Sequence, residues 1–105
     1  MKCRSRFLEL AQSDLLEVVD YLAQYSLNAA NDFLDELDER LSQICKFPKL
    51  GTIYRSRPTI RRVIVDRYLI FYEADEKNKL IKVYRILHSS RNIEAINLLG
   101  NKDDK

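Results

Sequence analysis

Between Thr59 and Asn92 the chain reads TIRRVIVDRYLIFYEADEKNKLIKVYRILHSSRN, and this stretch limits what the rest can fold into. Three apolar runs, Thr59 to Val65, Tyr68 to Glu73 and Leu80 to His88, are rich in Val, Ile, Leu, Tyr and Phe. Such residues suit a pleated, half-buried surface, and polar turn formers separate the runs. Asp66 and Arg67 leave two residues between the first two, the length of a tight hairpin, without the glycine that such turns favour. Asp75 to Lys79 supplies a longer, fully polar turn. The spacing predicts a three-stranded antiparallel meander carrying Arg61, Arg62, Arg67, Lys82, Arg85 and Arg91, with the preceding chain covering one face.

That preceding chain has the means to do so. Lys2 to Leu10 alternates in part and reads as a short, charged first strand at or near an edge. Ser13 or Asp14 is a candidate N-cap for a helix with Leu15, Val18, Val19 and Leu22 on one stripe, ending near Tyr25 or Ser26. Asn28 is a candidate cap for a second helix, with Ala30, Phe33, Leu34, Leu37, Leu41 and Ile44 on one face and Asp32, Asp35, Glu36, Asp38 and Glu39 on the other. The short link makes them an antiparallel hairpin that must bury its stripe on the sheet. Pro48 and Gly51 end the second helix and open a connection from Phe47 to Pro58. Asn92 caps a short helix over Ile93 to Leu99, Gly100 ends it, and residues 100–105 form a solvated tail. The expected class is α+β: an N-terminal strand, a two-helix hairpin, the meander and a short C-terminal helix, all in one domain over 1–105.

At 105 residues, 46% of them hydrophobic, the chain has room for one core and no second domain. Glu9 interrupts any signal-peptide core, and no run nears the roughly 20 apolar residues of a membrane span. Cys3, Cys45 and the single histidine have no zinc-ligand spacing. These features predict a cytoplasmic protein with two reduced thiols, no disulfide, no metal and no cofactor. Charge is segregated: residues 1–39 carry a net −6, residues 40–91 a net +9 and residues 92–105 a net −1. The basic half either meets an anionic partner or is simply a solvated face.

No phosphate loop or Ser/His/acid set can be assembled, so the candidates for chemistry are the strand-borne cations, Tyr84 and His88. Strict alternation would place Ile81, Val83, Arg85 and Leu87 on one face and Lys82, Tyr84, Ile86 and His88 on the other. Arg85 among apolar neighbours needs either a helix-borne carboxylate or an anionic ligand. His88 reads as an acid or base, or as a packing residue. Arg61 and Arg62 point to opposite faces of one strand, so at least one should be exposed.

The ordered set D-L-x-E-V-V-D-Y-L (Asp14 to Leu22), A-x-x-F-L (Ala30 to Leu34), F-P-x-L-G (Phe47 to Gly51), R-x-x-x-x-x-x-Y-L-I-F-Y (Arg61 to Tyr72) and R-I-L-H-x-x-R-N (Arg85 to Asn92) resembles the RelE/ParE superfamily of bacterial toxins. The likeness covers about residues 3 to 99. It implies the toxin of a type II toxin-antitoxin pair, held inactive in a hetero-oligomer by a cognate antitoxin whose C-terminal segment wraps it. RelE-like members are ribosome-dependent mRNA endonucleases, whereas ParE-like members poison DNA gyrase. Leu69 follows Tyr68 where the RelE pattern has arginine, and NIEAINLLG lacks its late tyrosine. The ending I-L-H-x-x-R-N is similar to that of ParE-like sequences, so the resemblance favours gyrase, with mRNA on the ribosome as the alternative target. Target or nucleic-acid contacts are then expected at Arg61, Arg62, Arg85 and Arg91; a nuclease would use His88 and Arg85 as catalytic residues.

Overall fold

The computed structural model describes residues 3–90. Its elements run β1 (Arg4–Phe7), α1 (Glu9–Tyr25), α2 (Leu27–Lys46), β2 (Thr52–Tyr54), β3 (Arg57–Val65), β4 (Tyr68–Asp75) and β5 (Leu80–His88). The strands form one sheet in the order β1-β5-β4-β3-β2, antiparallel except where β1 lies parallel to β5. The class is α+β as expected, and β3, β4 and β5 are the meander. The three-stranded sheet, however, is corrected to a five-stranded mixed one. β2 lay hidden in the connection after α2 because three residues are too few for alternation to register. β1 sits at the opposite edge, as its short, charged sequence suggested. The helix expected at Ile93–Leu99 and the tail at 100–105 lie outside the described residues.

Local chemistry moves the helix boundaries. α1 begins at Glu9, and Asp14, the expected cap, lies inside it as a buried residue. Ser26 alone links the helices: its backbone is extended, and its Oγ accepts the Ala29 N–H at 3.1 Å, capping α2 two residues ahead of Asn28. In the β3–β4 hairpin Asp66 takes a φ of 60°, a left-handed conformation that Asp tolerates better than most residues, in place of the missing glycine.

The main core lies between the helical hairpin and the sheet. Val18, Phe33, Leu37, Leu41 and Ile44 meet Val63, Val65, Tyr68, Ile70, Tyr72, Ile81, Val83 and Ile86. Fully burying a side chain such as Phe33 or Leu37 stabilises by about 1.5–3 kcal/mol each. A smaller cluster, Ile60, Leu69, Phe71 and Leu87, packs separately with Tyr54 and Tyr84. β4 contributes to both clusters, which is why Tyr68–Tyr72 reads as an unbroken apolar run.

Two further expectations are corrected. The alternation on β5 breaks at a bulge, where Phe71 pairs with Arg85 and Tyr72 with Val83, leaving Tyr84 as the extra residue. Ile81, Val83 and Ile86 therefore share the main core, and Leu87 belongs to the other cluster. The two thiols are not separate either: Cys3 and Cys45 form a disulfide with Cα atoms 5.9 Å apart. Compartment logic points the other way; the docking of β1 beside β5 is what brings residue 3 to the end of α2.

Candidate functional site

The polar residues of the sheet fall into four settings. The first is the seam between α1 and β5. Arg85 Nε donates to Asp14 Oδ2 at 2.7 Å and Nη2 to Oδ1 at 3.0 Å, a two-bond fork. The Ile86 N–H adds a third bond to Asp14 Oδ2 at 3.0 Å. Both side chains are largely buried, 14% and 11% exposed. Of the two readings open for Arg85, the helix-borne carboxylate is the one observed. The residue that answers it is Asp14, whose place before an apolar stripe resembles that of a helix cap.

His88 ends β5 beside this seam. Its Nδ1 lies 2.8 Å from Ser90 Oγ and accepts the Ser90 N–H at 3.1 Å, and its ring stands edge-on to Tyr68 with centroids 5.3 Å apart. Accepting that N–H requires an unprotonated Nδ1, so the ring proton of neutral His88 sits on Nε2. A cleft of about 240 Å³ opens here, bordered by Glu17, Tyr21, Tyr68 and His88.

The third setting is the loop between α2 and β2. The Tyr72 hydroxyl is buried, accepts the Gly51 N–H at 2.9 Å and donates to the Pro48 carbonyl at 2.9 Å. Burial raises its pKa above the usual 10.0. A Cβ on Gly51 would lie 2.6 Å from the Arg62 carbonyl oxygen and 2.9 Å from the Tyr72 ring, so nothing larger fits. Arg61 Nη1 donates to the Gly51 carbonyl at 2.8 Å and to that of Lys49 at 3.4 Å. Arg61 and Arg62 are both half-buried, and the one that holds the loop is Arg61. The β2–β3 ladder stops at Arg62, so Val63–Val65 continue β3 beyond its edge neighbour. Beside them runs a groove of about 590 Å³ bordered by Arg40, Leu50, Arg62, Ile64 and Leu69. Neither Arg40 nor Arg62 has an ion-pair partner among the described residues. Ile64, Leu50, Ile53 and Phe47 add exposed apolar surface nearby.

In the fourth setting Tyr84 is a residue that the sequence offers as a candidate. Across β4 and β5 the Tyr84 hydroxyl donates to Glu73 Oε1 at 2.7 Å, and Lys82 Nζ lies 4.0 Å from the same oxygen. Burial first, then the bond to Glu73 and its charge, pushes the Tyr84 pKa up to about 12. Only the bulged register aligns these residues, and no spacing in the sequence signals it.

The expected cations thus do not gather into one clamp among the described residues. Arg85 is bound to Asp14, Arg61 holds a loop, Lys82 attends Glu73, and Arg62 borders the groove; Arg91 lies outside the described residues. No group of three or more potential metal ligands occurs among the described residues, and none of their helices is long and apolar enough to cross a membrane. A family model described as "ParE toxin of type II toxin-antitoxin system, parDE" matches residues 6–93. No curated protein matches the chain.

Proposed function

The chain belongs to the ParE toxin family of type II toxin-antitoxin systems, and from that premise we propose that it acts in the cytoplasm as a poison of DNA gyrase. The antitoxin that the family implies would silence it. The observation that supports gyrase over mRNA is the engagement of Arg85 and His88. Metal-free cleavage of RNA needs an acid, a base and a phosphate clamp within hydrogen-bond reach of one reacting centre. Here the Arg85 fork lies on Asp14 and ties α1 to β5, while His88 Nδ1 is taken by Ser90 and its ring packs on Tyr68 of β4. Arg62, with Arg91, is the cation we assign to target contact, and Arg61 supports it by holding the adjoining loop.

For the antitoxin, the groove beside Val63–Val65 is the preferred seat. Among the described residues it offers a strand edge beyond the β2 ladder, an apolar border and two arginines without acidic partners. A segment both apolar and acidic, ordering as it binds, fits that chemistry. Charge reversal at Arg40 and Arg62 together should weaken the complex more than either change alone.

The second reading, mRNA cleavage on the ribosome, draws on the half-buried Tyr84, Glu73 and Lys82, which set a proton carrier beside a cation across β4 and β5. Pulse labelling of DNA and protein synthesis, in the minutes after induction without antitoxin, separates the two. An early fall in DNA synthesis with protein synthesis intact is the expected result. An early fall in protein synthesis overturns the gyrase reading, and loss of that effect in Tyr84→Phe or His88→Ala would then identify the chemistry.

A further inference from the structure

Cys3 and Cys45 are 42 residues apart in sequence and joined in space. Cys3 immediately precedes β1, and Cys45 is the next-to-last residue of α2. Of the two edge strands, β1 is the one attached across a gap of two helices. The β5 ladder holds it, extended at its ends by the Arg4 N–H on the Lys79 carbonyl at 2.9 Å and the Leu8 N–H on the Val83 carbonyl at 3.0 Å. Arg4, Ser5 and Arg6 are exposed, so of the strand's four side chains Phe7 alone packs against the main core and adds to that ladder. Both cysteines pack against the main core yet remain half-buried. A cavity of about 220 Å³, bordered by both cysteines with Lys46, Pro48, Lys79 and Ile81, opens beside them.

We propose that Cys3–Cys45 is a thiol–disulfide exchange site, a staple that small thiols reach through this cavity and whose state sets how firmly β1 and the end of α2 are held. The inference does not rest on the gyrase reading. It draws instead on where the staple sits. α2 leads within three residues to Pro48, whose carbonyl receives the Tyr72 hydroxyl, so the staple and the loop lock act in series. The core of Phe33, Ile44 and Tyr72 includes neither sulfur, which leaves the fold a means of surviving reduction.

The exchange balances without a cofactor. One thiolate of a small dithiol attacks a cysteine sulfur, the S–S bond breaks, a mixed disulfide forms, and the other cysteine leaves as a thiolate and takes a proton. The second thiol of the reagent then attacks its own sulfur in the mixed disulfide. The reagent departs as a cyclic disulfide, and two electrons and two protons have passed to the protein. In reverse, oxidised glutathione closes the staple and leaves as two molecules of the thiol.

The test equilibrates the full chain in glutathione buffers from oxidising to reducing. Free thiols are trapped by alkylation and counted by intact mass, and parallel samples are melted. Closure removes loop freedom from the unfolded chain, so the oxidised form should take up no alkylating agent and melt roughly 10 °C or more above the reduced form. The double variant Cys3→Ser with Cys45→Ser should melt with the reduced protein and ignore the buffer. Two free thiols throughout the oxidising range would overturn the proposal, as would equal melting of the two forms. Should the double variant not fold, dithiothreitol-treated wild type makes the same comparison. Outright unfolding of that sample makes the bond a permanent structural element and refutes a switch.

Discussion

Each of the two seams between helices and sheet is held by one long-range polar residue, and the two use opposite chemistry. At the α1–β5 seam a carboxylate and a guanidinium are buried together, with a backbone N–H completing the set. Where α2 runs into β2, one neutral hydroxyl bridges an N–H and a carbonyl of the same loop. The first joins ions whose removal from water is costly and whose attraction offsets that cost only while both are present. The second joins groups that each lose little when water is replaced by a good partner. Partner loss should therefore be severe at the first seam and moderate at the second.

The largest effect expected is at Asp14. Asp14→Leu removes the carboxylate that accepts the Arg85 fork and the Ile86 N–H in a largely buried site and should destabilise by about 3–5 kcal/mol. Replacing Arg85 with Met in the same chain should recover part of that loss, because the buried charge is gone and only the Ile86 N–H is left without its acceptor. Urea unfolding of the two single variants and the double variant measures the coupling. Additive losses would mean that the seam is held by helix packing and not by the ion pair.

Next comes Gly51→Ala. The added Cβ meets backbone at 2.6 Å, which cannot swing aside as a side chain can. The loop must move off Tyr72 and Arg61, and a loss of about 1–3 kcal/mol is expected from overpacking. Tyr72→Phe should follow closely, at about 1–3 kcal/mol, since it keeps the ring and strips the partner from the Gly51 N–H and the Pro48 carbonyl. A loss in Tyr72→Phe exceeding that of Asp14→Leu would reverse the ranking of the two seams.

The same contrast marks how far the sequence could be read. Local patterns were legible: the runs that became β3, β4 and β5, the apolar stripe of α2 and the charged edge strand β1 all follow from period and composition. The ordered motifs carried the family. What escaped depends on pairs distant in sequence. Asp14 before a helical stripe has the look of a cap, and only the approach of α1 to β5, 71 residues on, gives it Arg85 instead. One bulged residue at Tyr84 reversed the parity of β5 and set Tyr84 beside Glu73. Arg61 looked like a free cation because the carbonyls it serves belong to a loop with no period at all. Buried polar groups satisfied by remote partners leave no local trace.

The smallest effect at neutral pH, and the finest test of the contrast, is the alkaline behaviour of Tyr72. Burial raises its pKa above 10.0 in the folded chain, whereas the unfolded chain ionises near the ordinary value. The contribution of the neutral hydroxyl is thus fully present below pH 10 and is lost as pH rises through the raised folded value. Stability from pH 7 to 9 should be indifferent to this residue's ionisation, and above pH 10 wild type should lose stability faster than Tyr72→Phe. Tyr84, whose pKa is pushed up to about 12, adds a decline of the same sign in both proteins, so only the difference between them is diagnostic. Chemical denaturation at closely spaced pH values measures it. Parallel curves for the two proteins above pH 10 would mean that the loop gives way before the hydroxyl ionises, and that the neutral seam is the weaker of the two in a sense that partner removal alone does not reveal.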